Sequence, residues 1–145
     1  MRLTAHTDYG LRVLMSLAVM EGRVVTIEEL AERHGISRNH LMKVALTLVN
    51  LGFVKSIRGR GGGLTLAQMP GSLQMGHVVR SLESDVELVA CLGSGQCNCV
   101  FHGACKLTGA LGRAVEAFFA ELDRLTLADL VADPCRMRER LAVLA

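Results

Sequence analysis

The chain has 145 residues, half of them apolar, which is enough for about one ordinary domain with its own core. Its apolar runs are far shorter than the roughly 18 residues of a membrane helix. Charges at Arg2, Asp8 and Arg12 leave no apolar segment of the kind found in a secretory signal, so we do not expect one. We therefore expect a cytoplasmic protein without membrane association. In that compartment a group of cysteines is typical of a metal or redox site and not of disulfides.

The net charge of +2 is unevenly distributed along the chain. Residues 1–66 carry nine Lys or Arg against five Asp or Glu, whereas residues 67–145 carry seven against nine. Between Glu32 and Glu83 there is no acidic residue, while seven basic residues occur. A carboxylate-free stretch of this length favours a surface that binds phosphates, although charge alone fits an ordinary basic surface about as well.

Three amphipathic helices are predicted in the first half of the chain. Thr7 and Asp8 are expected to begin the first, with Thr7 as its cap and Asp8 favoured by the helix dipole. Thr26 and Glu29 predict a capping box at the start of the second helix. Ser37 is the predicted cap of the third, whose apolar residues recur at helical spacing.

The second and third helices, joined by a turn that contains Gly35, are typical of a helix-turn-helix. The second helix of that motif buries one stripe and offers polar and basic side chains from its first turns to base edges and phosphates. Asn39 suits adenine, and Arg38 suits guanine or phosphate. An ordinary helical hairpin is the alternative. The candidate DNA-binding residues of this helix are Ser37, Arg38, Asn39, His40 and Lys43.

A β-hairpin is predicted next, with strands at 53–57 and 64–66 and a glycine-rich tip that carries two arginines. Glycines let the backbone bend sharply and approach a surface closely. The glycine run lacks the Lys-Ser/Thr ending of a P-loop and opens no helix, which excludes a nucleotide-binding loop. We interpret the hairpin as a wing that adds Arg58, Arg60 and Gly61 to the candidate DNA-binding residues.

Four of the five cysteines fall within fifteen residues, at Cys91, Cys97, Cys99 and Cys105. Thiolates this close in sequence can share zinc or an iron–sulfur cluster. The segment contains no Cys-x-x-Cys pair, so the common zinc-ribbon and thioredoxin spacings do not fit. Gaps of five, one and five residues suit a loop around something larger than a single ion. Cys135 lies apart and is expected to be a bystander.

Beyond Cys105, apolar residues recur at helical spacing from Leu107 to Leu125. A stripe this long in a small chain indicates a partner helix, and dimerisation is the natural source, because helix-turn-helix proteins pair to bind symmetric half-sites. Packing within the same chain is the alternative. Thr126 begins a brief further helix, and the tail from Pro134 onward carries no clear pattern.

These elements predict a mainly α fold with a small β-hairpin wing: a winged helix-turn-helix plus a long dimerisation helix and a cysteine-rich cluster loop. The expected boundaries are 1–84 for the DNA-binding domain, 85–106 for the cluster-binding loop, 107–131 for the dimerisation helix with the short helix after it, and 132–145 for a C-terminal tail. No Ser/His/Asp or paired-carboxylate arrangement indicates an enzyme. The scarcity of aromatic residues disfavours RNA binding.

Several segments carry a family resemblance. The opening residues 1–4 and 7–12, the turn at 37–43 and the wing at 58–64 resemble the winged-helix iron–sulfur regulators of the IscR and NsrR type. Segments 88–91, 99–107 and 125–131 are most similar to the NsrR branch, the nitric-oxide-sensitive repressors. The resemblance extends to about residue 131.

The resemblance implies a homodimeric repressor that binds a palindromic operator in double-stranded DNA and responds to nitric oxide. It also implies an iron–sulfur cluster in each subunit's cysteine loop, [4Fe–4S] in preference to [2Fe–2S]. In the family three cysteines are ligands, and a carboxylate of the other subunit can be the fourth; the matching residue here is Asp8. A stabilising effect on the helix dipole is the alternative role for Asp8.

This chain departs from the family pattern at the middle cysteine, because it has two. The residues that flank Cys99 match the family, so the predicted ligands are Cys91, Cys99 and Cys105, with Cys97 as the alternative to Cys99. If both bound, four thiolates of one chain would leave no place for Asp8. Two other functions stay open: a [2Fe–2S] sensor of redox state or iron–sulfur supply with the same fold, and a zinc-containing or thiol-switched DNA-binding protein.

Overall fold

The computed structural model describes residues 2–83, 88–93 and 97–143. Its helices and strands, in chain order, are α1 (Ala5–Val19), α2 (Ile27–His34), α3 (Arg38–Asn50), β1 (Val54–Ile57), β2 (Gly63–Leu66), α4 (Met75–Leu82), α5 (Lys106–Leu122), α6 (Leu127–Leu130) and α7 (Pro134–Val143). Single 3₁₀ turns lie at Pro70–Ser72 and Ala90–Leu92. The expected domain boundary after residue 84 lies outside the described residues.

Helix α1 begins earlier than the sequence predicted, because its cap is Thr4 and not Thr7. The Thr4 hydroxyl accepts a hydrogen bond from the backbone N–H of Thr7 at 3.2 Å. Glu83, which is buried at the end of α4, accepts a second bond from the Thr4 backbone N–H at 2.7 Å. This tertiary partner fixes Thr4 at the helix start, while Thr7 is buried within the first turn. Asp8 lies in that first turn, as predicted.

Helix α2 begins at Thr26 as predicted, but only half of the expected capping box forms. The Thr26 hydroxyl accepts from the backbone N–H of Glu29 at 3.1 Å. The Glu29 carboxylate does not reach back to Thr26, because it pairs with Arg23 at 3.0 Å and with Arg33 at 2.8 Å. Gly35 ends the helix with φ of 61°, a left-handed conformation that suits glycine.

The hairpin is antiparallel, with Val54 opposite Leu66 and Ile57 opposite Gly63. Val25, from the segment before α2, pairs with Leu64 of β2 through backbone hydrogen bonds of 3.0 and 2.8 Å. This bridge attaches the hairpin to the helices. The structure is therefore a winged helix-turn-helix, mainly α with a small two-stranded hairpin, as predicted.

One hydrophobic core joins α1, α2, α3, the hairpin and α4. The faces of α1 and α3 that meet there are buried almost completely. These are mostly the apolar faces that the helical spacing of their residues predicted. The largest fully buried side chains are Leu14, Leu30, Leu41, Leu48, Leu73, Met75 and Leu127.

Helix α5 is anchored to this core at its C-terminal end. Just after α5 ends, the backbone N–H of Leu127 donates to the Leu73 carbonyl, and the N–H of Met75 donates to the Leu125 carbonyl, both at 2.9 Å. Phe119 is the buried residue of α5. The short helix after α5 begins at Thr126 as predicted, and it carries a complete capping box with Asp129.

The C-terminal segment forms a helix that the sequence did not predict. Arg138 of α7 donates to the carbonyl of Val19 at 2.8 Å, and Arg33 of α2 donates to the carbonyl of Leu141 at 2.7 Å. Both carbonyls lie near helix ends, where backbone acceptors lack partners within the helix. Two arginine side chains thus hold α7 against α1 and α2.

Candidate nucleic-acid interface and metal centre

The start of α3 presents the candidate DNA-binding residues together. Ser37 caps the helix, since its hydroxyl accepts from the backbone N–H of His40 at 3.3 Å. The opposite face of α3 is buried in the core, so the helix cannot rotate without losing that packing. All five predicted residues, Ser37, Arg38, Asn39, His40 and Lys43, are exposed on one end of the helix.

Arg38 is not free in the unbound protein, because its Nε lies 2.7 Å from a Glu28 oxygen of α2. Both side chains are more than half exposed, and exposed pairs of this kind contribute about 0–1 kcal/mol. A phosphate or a guanine can therefore replace Glu28 as the partner of Arg38 at little cost.

The wing places its two arginines at a tip shaped by glycines. Gly59 and Gly61 have φ of 97° and 79°, in the left-handed region that other residues rarely adopt. A Cβ at Gly62 would overlap the Ile57 carbonyl oxygen, so the turn also needs glycine there. Arg58, Arg60 and Gly61 are all exposed, with their side chains or backbone available to a groove.

Asp8 lies on α1 and is held by Arg12 one turn later. The carboxylate accepts two hydrogen bonds from the Arg12 guanidinium, at 3.2 and 2.7 Å. The same guanidinium lies 5.9 Å from the centre of the Tyr9 ring, and that ring lies 5.9 Å from the imidazole of His40. A row of contacts therefore runs from Asp8 to the third helix, where the candidate DNA-binding residues lie.

The cysteine segment precedes α5 directly. Cys91 lies in the 3₁₀ turn, and Cys105 is the residue before the first turn of α5. The Cys91 sulfur is 3.4 Å from the hydroxyl of Thr108. Hydrogen bonds from the Thr108 backbone N–H, the Thr108 hydroxyl and the Leu107 backbone N–H lower the pKa of the Cys105 thiol. Thr108 thus brings two of the predicted ligands together at a helix N-terminus, which favours thiolate.

The other predicted ligands are not gathered with these two. Cys97 is half-buried and Cys99 is exposed, and residues 94–96 lie outside the described part of the chain. Among the described residues, no three His, Cys, Asp or Glu side chains converge on a point where a metal ion could bind. The donor set fits an iron–sulfur cluster in kind, since it offers soft thiol ligands in a loop with one thiol already disposed to ionise.

The apolar stripe of α5 is only partly covered by its own chain. Leu107 is 62% exposed, and Leu111, Val115, Phe118 and Leu122 are half-buried. Phe119, next to the stripe, lies beneath the guanidinium of Arg80 from α4. Packing within the chain thus covers much of the predicted stripe, while Leu107 at its start stays exposed and the next residues are covered only in part.

Comparison with known proteins decides the family. The model of the Rrf2 family, described as iron-dependent transcriptional regulators, matches residues 3–133. This chain belongs to the Rrf2 family. The helix-turn-helix transcriptional regulator NsrR of Bacillus subtilis strain 168 is 46% identical over 132 residues, which are 90% of each chain. NsrR of Geobacillus kaustophilus strain HTA426 is 41% identical over 142 residues, 97% of each chain.

Solved structures agree with the fold of an Rrf2 protein. CymR, the global cysteine regulator of B. subtilis, superposes with a TM-score of 0.74 at 27% identity and covers 91% of this chain and 97% of its own. IscR of T. potens has a TM-score of 0.73 at 28% identity, with 92% and 88% covered. The relatives are transcriptional regulators and not enzymes. Among the described residues no helix is long and apolar enough to cross a membrane.

Three residues of this Rrf2 protein that matter to the site were not predicted. Arg12 was missed, although its spacing of four from Asp8 is that of a helical ion pair. Thr108 was missed as well, although it follows Cys105 by three residues, the spacing at which a residue before a helix meets the first turn. Nothing in the sequence pattern singled out Tyr9, because its contact with His40 joins two helices.

Proposed function

We propose that this Rrf2 protein is a homodimeric DNA-binding repressor whose operator affinity is controlled by an iron–sulfur cluster that reacts with nitric oxide. The observation that carries the proposal is the likeness to NsrR regulators along nearly the whole chain, at 39–46% identity. The exposed basic start of α3 and the arginine-tipped wing support the DNA-binding part of the proposal.

The proposed reading head has two parts. Arg38, Asn39 and Lys43 of α3 enter the major groove, where Asn39 pairs with adenine and the basic residues meet guanine or phosphate. Arg58 and Arg60 contact the neighbouring groove or backbone. A dimer formed through the α5 stripe presents two such heads to a palindrome whose half-sites lie about one helical turn apart.

Cys91, Cys99 and Cys105 would hold the cluster, [4Fe–4S] in preference to [2Fe–2S], with Asp8 of the other subunit as the fourth ligand. When bound, the cluster would supply iron atoms that react with nitric oxide. The Asp8 carboxylate is a harder ligand than thiolate and would be the most readily displaced of the four.

Asp8 couples the metal centre to the reading head through contacts of this chain. Its carboxylate accepts one hydrogen bond from Arg12 on each oxygen, so binding iron through a remaining lone pair would draw charge from the oxygens and weaken those bonds. A shift of the Arg12 guanidinium would alter its contact with the Tyr9 ring, which in turn contacts the imidazole of His40 at the start of α3. Loss of Asp8 as a ligand would therefore release one head from the other subunit and alter the position of α3, and the two heads would no longer match the half-site spacing.

The extra cysteine favours a second candidate. With Cys97 and Cys99 both present, one chain could supply four thiolates, a set that suits zinc or [2Fe–2S] without Asp8. Anaerobic purification separates the candidates. A zinc protein would be colourless, and Mössbauer and absorption spectra distinguish the two cluster types. Light scattering on the same sample tests the homodimer, and a monomer would contradict the proposal.

A further inference from the structure

The outward face of α3 contains two large apolar side chains. Met42 is 48% exposed and Leu46 is 62% exposed, although both lie on the helix that carries the candidate DNA-binding residues. The apolar residues that α3 needs for folding are elsewhere on the helix, at Leu41, Val44, Ala45 and Leu48, and are buried. Met42 and Leu46 therefore do not serve the core.

Their positions place them among the polar residues of the DNA-facing side. Asn39, Met42, Lys43 and Leu46 follow at steps of three, one and three, which puts them on the same side of a helix. Asn39 and Leu46 are about 10 Å apart along the axis, the length of about three base pairs. Apolar and polar side chains thus alternate along one reading surface.

A single exposed leucine or methionine on a protein surface is ordinary and needs no explanation. Here, however, both lie in the stretch without acidic residues, beside Lys43 and Asn39, where the surface suits DNA. Hydrocarbon side chains gain nothing from phosphates. In the major groove the apolar group offered by a base edge is the 5-methyl group of thymine.

Given the proposed binding of α3 to the major groove, we propose that Met42 and Leu46 read the 5-methyl groups of thymines in each half-site. Asn39 then pairs with an adenine in the same A·T-rich segment, so the helix recognises that segment through one amide and two hydrocarbon contacts. Each buried methyl group is expected to contribute about fourfold to the dissociation constant, equivalent to about 0.8 kcal/mol.

The test replaces thymine by deoxyuridine, which lacks only the 5-methyl group. A duplex is first selected from a random pool by the anaerobically purified protein, and each thymine of its half-sites is then replaced in turn. We expect one or two positions per half-site at which the replacement weakens binding about fourfold. That penalty should disappear in Met42→Ala at one position and in Leu46→Ala at another.

Met69→Ala is the matched control, because Met69 is 78% exposed but follows the wing and lines a surface groove with Leu17 and Glu21, outside α3. It should keep the full deoxyuridine penalty, and thermal melting should show that all three variants are folded. Three outcomes would overturn this inference while leaving DNA binding intact. They are that deoxyuridine weakens binding at no position, that the selected half-sites contain no thymine, or that the loss of affinity on replacement persists unchanged in both Met42→Ala and Leu46→Ala. Failure to select any duplex would overturn the proposed function as well.

Discussion

Arg80 of α4 and Asp123, just after α5, form an ion pair with two nitrogen–oxygen distances of 2.7 and 2.8 Å. The guanidinium also lies over the Phe119 ring, 4.3 Å from its centre. These contacts hold the helix that carries the proposed dimer surface against the winged-helix body. A dimer formed by α5 can therefore fix the separation of two reading heads.

Gly76→Ala should lower the melting temperature, although alanine normally favours a helix. A Cβ at Gly76 would overlap the Asp123 carboxylate and push it away from Arg80. The matched control is Gly109→Ala in α5, where the nearest atom would be 3.6 Å from the new Cβ; it should raise stability by up to about 1 kcal/mol. If the overlap is the cause, the cost of Gly76→Ala should be smaller in an Asp123→Ala background.

His34 should make stability depend on pH below neutrality. Burial, helped by Arg12 and Arg33 and opposed by Asp8, lowers the pKa of His34 below its ordinary value of 6.5. The unfolded chain therefore binds a proton more readily, so this contribution to stability is complete above pH 6.5 and is lost as the pH falls through the folded pKa.

His34→Gln offers a neutral side chain to Ser16, whose hydroxyl lies 2.8 Å from the imidazole. Melting temperatures measured from pH 7.5 to 5 should fall more steeply for the wild type than for this variant. Parallel curves for the two proteins would show that His34 does not have this effect.

Much of the fold follows from local sequence patterns, and the exceptions share one cause. Gly35, Ser37 and Thr126 have the predicted positions at helix ends because their hydrogen bonds are local. Thr4 replaces Thr7 as the cap because Glu83, distant in sequence, bonds to it. The Glu29 carboxylate does not complete its capping box, because it pairs with Arg23 and Arg33.

The same reasoning explains what was missed at the C-terminus and in the site. Helix α7 depends on contacts from Arg33 and Arg138 to distant carbonyls, which no periodicity reveals. The close spacing of four cysteines could be seen in the sequence alone. The contact of Cys91 with Thr108 could be found only from the folded structure. The ligand set itself stays a prediction, because its proposed fourth member, Asp8, would belong to a second subunit.

Serine substitutions should distinguish the cysteines that bind the cluster from those that do not. Cys91→Ser, Cys99→Ser and Cys105→Ser are expected to lose most of the bound iron and sulfide, because each removes a proposed ligand, while Cys97→Ser keeps them. Iron and acid-labile sulfide are measured after anaerobic purification, with Cys135→Ser, an exposed residue of α7, as the control. If Cys97→Ser loses iron and Cys99→Ser retains it, Cys97 is the ligand and Cys99 is not.

Asp8→Ala should weaken operator binding by about 5- to 150-fold while the cluster is intact, the range that a coupling of 1–3 kcal/mol between two sites gives. The reason is that the proposed tie between the subunits and the contact with Arg12 are both removed. Glu21→Ala, which removes an exposed carboxylate just after α1, is the control and should bind normally. Unchanged affinity together with an unchanged nitric oxide response would refute the role of Asp8.

The most direct test of cluster control is a gel shift with anaerobically purified protein before and after stoichiometric nitric oxide, with iron and sulfide measured on the same sample. We predict tight binding to the operator before addition and loss of the complex afterwards. Protein that contains no iron or sulfide, or that binds the operator equally well before and after nitric oxide, would contradict the account.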